Sequence, residues 1–184
     1  MKYLIFSLLL ILNFSAITYC QEQPQEKSPT FTLGDNKIIY YASIPVATFT
    51  KETLFANAQQ WYTKNFETAD NTLIINNIND GILSGTGIIH QNKRDQKAEP
   101  GDVFFTIDMR INNGLYTYTV HDLYGFDNTG KFYYSDMYNE DQYPSDKPKW
   151  QAQYRRTTLG NMNSKILVMI TELQKEMITP KLEK

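Results

Sequence analysis

The segment 125–158 combines aromatic side chains with carboxylates, a mixture that could hold a ligand. Aromatic rings stack on a sugar or a peptide, and neighbouring carboxylates accept its hydrogen bonds. The candidate ligand-binding residues of this segment are Tyr133, Tyr134, Tyr138, Tyr143 and Trp150. Its carboxylates are Asp127, Asp136, Glu140, Asp141 and Asp146. Packing within a long loop would explain the same composition and is the simpler interpretation.

A second candidate surface lies on a predicted β-hairpin formed by residues 103–112 and 115–124. The two-residue turn Asn113-Gly114 fixes the register of the two strands, and successive side chains alternate between two faces. One face is apolar, as expected of an antiparallel sheet that is covered on one side. The other face carries a candidate partner surface of five residues, Asp108, Arg110, Thr117, Thr119 and His121. A solvated face with weak cross-strand pairs is the simpler interpretation.

No catalytic residue is assigned, because the sequence carries no local signature of one. His121 and Asp122 are neighbours in a predicted strand, so their side chains should point to opposite faces and form no acid–base dyad. The hairpin register places Asp122 opposite Phe105, on the nominal core face near the strand end, from where it should reach solvent or cap a turn. Neither a set of serine, histidine and acid nor an HExxH motif can be assembled from the sequence.

Metal and cofactor sites are not expected either. One cysteine excludes a cysteine-rich zinc site, and two histidines are too few for a histidine-built metal centre without several carboxylates. Residues 127–130 lack the alternating ligands and the later glutamate of a calcium loop, and they are predicted to form a turn. Gly85 and Gly87 lie within a predicted strand rather than before a helix, so they do not form a phosphate loop. We expect them to let a bulky helix residue, such as Trp61, approach the sheet.

Residues 1–20 have the pattern of a secretory signal peptide. A positively charged start is followed by the apolar stretch Tyr3 to Ile17, which is too short for a transmembrane helix. No other stretch of the sequence is long and apolar enough to span a bilayer, so we expect an exported protein of the periplasm or cell envelope. Cleavage after Cys20 is favoured because the bulky Tyr19 is unusual before a lipid-bearing cysteine. Lipidation of Cys20 is the alternative.

Composition limits the partners and the domain organisation. The chain has 184 residues, of which 18 are basic and 20 acidic, so it lacks the basic excess that nucleic-acid binding requires. Residues 21–36 are polar and contain two prolines, which predicts a flexible lead. Residues 37–182 are predicted to form one folded domain, with residues 125–158 as a long aromatic insertion.

The apolar periodicities predict a fold of the α+β class. Strands are predicted at residues 38–46, 72–78, 82–90, 103–112 and 115–124, and a further short strand at 131–134 is left open. Helices are predicted at residues 51–66, where Thr50 offers an N-cap, and at 159–177. The order β-α-β-β-β-β-α gives an antiparallel sheet of about five strands with two helices packed on one face.

Three motifs together resemble one family of exported bacterial proteins. They are the helix segment LFANAQQWYTKNF, the strand ILSGTGII after an Asp-Gly turn, and the hairpin MRINNGLYTYTVHDL. In this order they resemble the domain-of-unknown-function family 4468, whose fold is like that of the TATA-box-binding protein. The resemblance covers residues 38–122 and the closing helix. It implies the fold and export, it implies no catalytic residue, and a likeness of fold does not carry DNA binding with it.

These observations favour a non-enzymatic envelope protein that binds a small ligand or a protein partner. The alternative is an envelope hydrolase that uses carboxylates of residues 125–146 as acid and base. Convergent carboxylates in a cleft would favour the hydrolase, whereas a shallow surface would favour binding.

Overall fold

Antiparallel strands form the centre of the protein, which we describe from a computed structural model. The described parts are the backbone of residues 30–34 and residues 37–66, 73–90, 101–138 and 148–180. The strands are β1 (Thr30–Gly34), β2 (Lys37–Pro45), β3 (Leu73–Asn77), β4 (Ile82–Ile89), β5 (Val103–Asn112), β6 (Leu115–Asp127) and β7 (Gly130–Tyr133). The helices are α1 (Lys51–Phe66), α2 (Tyr134–Tyr138) and α3 (Lys149–Met177).

The sheet branches along one edge of the long strand β6. The main strand order is β1-β2-β6-β5-β4-β3, and β5 pairs with one edge of β6. The other edge pairs with β2 over residues 115–120 and with β7 over residues 124–127. The strands β2 and β7 therefore pair with the same edge of β6, one after the other. Neither of them pairs with β6 in the gap between Val120 and Tyr124.

The turn between β5 and β6 sets the predicted register and also holds the start of α1. Ile107 pairs with Val120, as the two-residue turn requires. Gly114 adopts a left-handed φ of 68°, which glycine tolerates without steric strain. The side-chain oxygen of Asn113 accepts a hydrogen bond of 2.8 Å from the backbone N–H of Lys51, the first residue of α1.

The long helices α1 and α3 pack on the same face of the sheet, so the predicted α+β fold is confirmed. The residues of β5 alternate between buried apolar and more exposed side chains. Trp61 of α1 is 1% exposed and belongs to the core. The hydroxyl of Tyr40 in β2 donates a 2.7 Å hydrogen bond to Asn163 of α3. We call this side of the sheet the covered face and the other side the open face. None of the helices in the described residues is long and apolar enough to cross a membrane.

The sheet has more strands than predicted, and the last helix is longer. β1 lies within the segment predicted as a flexible lead, whose residues 21–29 are outside the described part of the chain. The segment 125–158 contributes the end of β6, the strand β7, the short helix α2 and the first turns of α3. α3 begins at Lys149 rather than Leu159 because its first turns are helical without an apolar stripe, which the periodicity could not detect.

The two glycines of β4 admit aromatic rings to the covered face, but not the ring that was predicted. A Cβ atom at Gly85 would lie 2.5 Å from the hydroxyl of Tyr62, and one at Gly87 would collide with the ring of Phe105. Tyr62, and not Trp61, therefore approaches the strand, and its hydroxyl donates a hydrogen bond to the backbone oxygen of Thr86. Burial raises the pKa of Tyr62 to about 12, so the hydroxyl keeps its proton at neutral pH.

The two faces can be tested with substitutions in β5. Ile107 is 0% exposed, so Ile107→Ala should lower the free energy of unfolding by about 2–5 kcal/mol. Arg110 lies three residues away on the open face, and Arg110→Ala should change it by less than about 0.5 kcal/mol. Urea denaturation of both variants measures the contrast. A larger loss in the arginine variant would show that the helices cover the other face.

Candidate functional site

His121 lies on the open face between two carboxylates. Its Nε2 atom is 2.9 Å from Asp108 Oδ2, and its Nδ1 atom is 3.0 Å from Asp122 Oδ2. Ser84, which is buried in the neighbouring strand β4, donates its hydroxyl hydrogen to the other oxygen of Asp108. The side chain of His121 is 25% exposed, and each aspartate side chain is about half exposed. We call these four residues the histidine cluster.

Asp122 reaches His121 because β6 contains a bulge. Two residues of β6, Asp122 and Leu123, lie opposite the single residue Phe105 of β5. Asp122 adopts a left-handed φ of 52°, a conformation that few residues other than glycine, asparagine and aspartate adopt. Leu123, at 3% exposed, takes the core position. The extra residue therefore interrupts the alternation of side chains along the strand.

The bulge corrects two predictions from the sequence. The side chains of His121 and Asp122 were expected on opposite faces, but they lie on the same face, with Nδ1 of the histidine 3.0 Å from Oδ2 of the aspartate. Asp122 was assigned to the nominal core face, and the left-handed backbone turns it to the open face instead. The expectation that Asp122 reaches solvent is confirmed, since 49% of its side chain is exposed.

A serine, a histidine and two acids come together here, although no such set could be assembled from residue spacing. Their hydrogen bonds differ from those of a catalytic triad, because the serine hydroxyl donates to Asp108 and not to His121. Both nitrogens of His121 face carboxylates, which leaves neither nitrogen directed at a substrate. In the described part of the chain, no group of three or more histidine, cysteine or acidic residues is placed to hold one metal ion.

Four aromatic rings lie on the open face beside the histidine cluster. Phe104 and Tyr124 stack across β5 and β6, with ring centroids 4.8 Å apart and planes at 10°. Phe126 makes edge-to-face contacts with both rings at 5.3 and 5.8 Å, and Tyr133 lies 6.0 Å from Tyr124. Phe126 is 51% exposed and Tyr133 is 42% exposed. We call these four residues the aromatic cluster.

Lys131 places a positive charge over the aromatic cluster. Its Nζ atom lies 3.7 Å from the ring centroid of Tyr124 and 4.8 Å from that of Tyr133. A hydrogen bond with Tyr133 raises the pKa of Lys131, and the negative charge of Asp122 adds to the effect. Within one surface, the exposed rings can thus offer apolar contact to a ligand. Lys131 can offer a hydrogen-bond donor, and Asp122 can offer an acceptor.

The predicted ligand-binding residues do not form one site. Tyr133 belongs to the aromatic cluster, whereas Tyr134 is 1% exposed and part of the core. Burial raises the pKa of Tyr134 well above its usual range, which agrees with a packing role. Tyr138 lies at the end of α2, and Trp150 is 65% exposed on α3. Tyr143 lies outside the described residues.

The five residues of the predicted partner surface lie on the open face, but they do not all belong to one cluster. Asp108 and His121 belong to the histidine cluster. Arg110 and Thr117 pair with each other nearer the β5–β6 turn, and Thr119 pairs with Asp108. Binding of a partner by these residues stays a prediction.

A pocket lies in the gap between β2 and β7 along the edge of β6. Its volume is about 330 Å³, and the buried side chains of Ile38 and Leu123 contribute to its lining. Asp122 and Tyr133 also line it, so the pocket joins both clusters of the open face. This pocket could not be foreseen from the sequence, because it lies in the gap between β2 and β7 and is lined by Asp122, whose outward direction depends on the bulge. The one local signal was the tolerance of aspartate for a left-handed backbone, which is weak by itself.

Substitutions at Asp122 test the bulge. An alanine in a left-handed conformation costs about 1–2 kcal/mol, a penalty that glycine does not carry. We therefore expect Asp122→Gly to be more stable than Asp122→Ala by about 1 kcal/mol, measured by urea denaturation. If residue 122 were instead extended and on the core face, the alanine variant would be the more stable of the two.

Comparisons with known proteins agree with this architecture. Residues 40–124 match the family described as a domain of unknown function (DUF4468) with TBP-like fold. A DUF4468 family protein from Bacteroides ovatus ATCC 8483 has a TM-score of 0.59 at 12% identity, with 84% of this chain and 94% of that chain covered. A TBP-like protein from Parabacteroides distasonis ATCC 8503 has a TM-score of 0.53 at 13% identity, with 80% and 97% covered.

At these identities the likeness to solved structures shows the fold alone. None of the curated proteins matches the sequence. The resemblance predicted from the sequence is confirmed: over residues 40–124 this chain is similar to the DUF4468 family, and it shares that family's TBP-like fold.

Proposed function

We propose that the protein is an exported binding module of the bacterial cell envelope, and that its ligand or partner binds the open face of the sheet. The aromatic cluster is the observation that supports this proposal most directly. Both long helices pack on the covered face, while Phe126 and Tyr133 on the other face are about half exposed. Exposed aromatic rings beside fixed polar groups are typical of binding surfaces.

The histidine cluster supports binding more than catalysis. A general base needs a nitrogen free to take a proton from the substrate, and both nitrogens of His121 face carboxylates. The same pairs hold the polar side chains in fixed positions, so a ligand meets groups that are already ordered. Such order lowers the entropy lost on binding.

The alternative hydrolase would need a carboxyl group in residues 125–146 that keeps a proton near neutral pH. Asp127 does not meet this requirement, because hydrogen bonds from Thr129 lower its pKa and favour the ionised carboxylate. Those bonds to the side chain and backbone of Thr129, at 2.6 and 2.7 Å, close the predicted turn. Asp136 lines the pocket. Glu140, Asp141 and Asp146 lie outside the described residues. We therefore place the binding function first.

Two matched substitutions test the proposed binding surface. Phe126→Ser removes an exposed ring from the open face, and Val168→Ser removes an exposed apolar side chain from α3, on the other side of the sheet. Because both side chains are more than half exposed, we expect each variant to stay within about 0.5 kcal/mol of the natural stability. We expect only Phe126→Ser to lose capture of envelope components by the immobilised protein. Loss in the valine variant alone would move the binding surface to the helices.

Export is supported by the pattern of residues 1–20 and can be tested on the protein recovered from the bacterial envelope. Mass spectrometry of its N-terminus distinguishes a chain that starts at Gln21 from one that keeps a lipid on Cys20. We expect Gln21, because Tyr19 precedes the cysteine where a small residue is usual. A diacylated Cys20 would establish the lipid anchor instead, and a chain that keeps residues 1–20 in the cytoplasm would overturn export.

A further inference from the structure

We propose that the pocket between β2 and β7 binds a neutral sugar unit, and that the ligand of the open face is a glycan. This inference rests on the proposed binding function and names the chemical class of the ligand. It depends on three features of the described residues, which are the balance of charge in the pocket, an aromatic wall, and a continuous surface that leads away from it.

The charges around the pocket balance and offer both donors and acceptors. Lys37, Asp122, Ser135 and Asp136 line it, and Lys131 carries its charge near Asp122. A charged ligand would attract one half of these groups and repel the other half. Sugar hydroxyls donate and accept hydrogen bonds without a net charge, so they can use lysine, serine and carboxylate groups together.

Tyr133 is the aromatic residue that lines the pocket, and it is 42% exposed. One side of a sugar ring consists of C–H groups and packs on an aromatic face, while the hydroxyls at its edge turn to polar neighbours. A pocket of about 330 Å³ lies at the lower end of the range for small-ligand sites. The size therefore fits a sugar-sized group rather than a large cofactor.

A chain of sugars fits better than a free monosaccharide because the aromatic surface continues beyond the pocket. Tyr133 lies 6.0 Å from Tyr124, and Tyr124 contacts both Phe104 and Phe126. Phe104 and Lys131 already lie against the ring of Tyr124, so successive sugar units could extend from the pocket towards the exposed ring of Phe126.

A peptide is the competing ligand, and the sheet topology disfavours it at this position. An extended peptide binds most simply by adding a strand to a free sheet edge. Beside the pocket, that edge of β6 is paired with β2 over residues 115–120 and with β7 over residues 124–127, so the gap left for an added strand spans residues 121–123 alone, which is shorter than an ordinary strand of about five or six residues. The pocket therefore offers side chains more than an unpaired backbone.

Retention of the mature protein on immobilised envelope extract from the producing bacterium tests the inference. One sample of the extract is digested with protease, and another is treated with periodate, which cleaves the vicinal diols of sugars. We expect the protein to be retained on the protease-digested extract and lost on the periodate-treated one. Retention that protease abolishes and periodate spares would overturn the glycan assignment while leaving the binding function in place. No retention on untreated extract would overturn both.

Variants locate the contact within the pocket. Tyr133→Ala removes the wall, and Asp136→Asn keeps the shape while removing the charge. We expect each to weaken the apparent affinity about tenfold. Trp150→Ala removes an aromatic side chain that is 65% exposed on α3 and should leave the affinity unchanged. Circular dichroism checks that all variants fold. Folded variants of Tyr133 and Asp136 that retain full affinity would exclude the pocket as the glycan site.

Discussion

Burial of one face of the sheet beneath α1 and α3 is the constraint on which the other features of the structure depend. Along β5, Phe105, Ile107 and Met109 are almost fully buried. A shift of one residue in register would expose these side chains and bury Asp108 and Arg110. Each large apolar side chain contributes about 1.5–3 kcal/mol on burial, whereas a cross-strand polar pair contributes a few tenths. The covered face therefore decides which residues the open face can present.

The candidate site lies where that constraint is relaxed. Next to the bulge, β6 passes from pairing with β2 to pairing with β7, so this edge is interrupted and a pocket forms. Asp122 joins the histidine cluster at the same point, and the aromatic cluster begins at Phe104 and Tyr124. A regular strand would have continued the alternation, turned Asp122 to the covered face and left His121 without its second carboxylate.

Regular features could be predicted from the sequence, and the irregular ones could not. The Asn113-Gly114 turn fixed the hairpin register, and apolar periodicity located α1 and the covered face. The bulge has no glycine to mark it, so strand alternation placed Asp122 on the wrong face. The early start of α3 had one usable signal, Pro148, because proline is common at the beginning of a helix. The aromatic cluster includes Tyr133 of β7, which reaches the other rings through the pairing of β7 with β6, so its assembly could not be derived from the spacing along one hairpin.

Residue 122 is one residue more than the core needs. If it were deleted, Leu123 would follow His121 directly and would still point to the covered face, because ordinary alternation puts the residue after His121 there. Tyr124 and Phe126 would likewise keep their outward positions. The deletion would thus preserve the pattern of buried and exposed side chains while removing a backbone conformation that is unfavourable for most residues. Packing of the covered face therefore does not require this residue, and its carboxylate contributes instead to the histidine cluster and to the pocket.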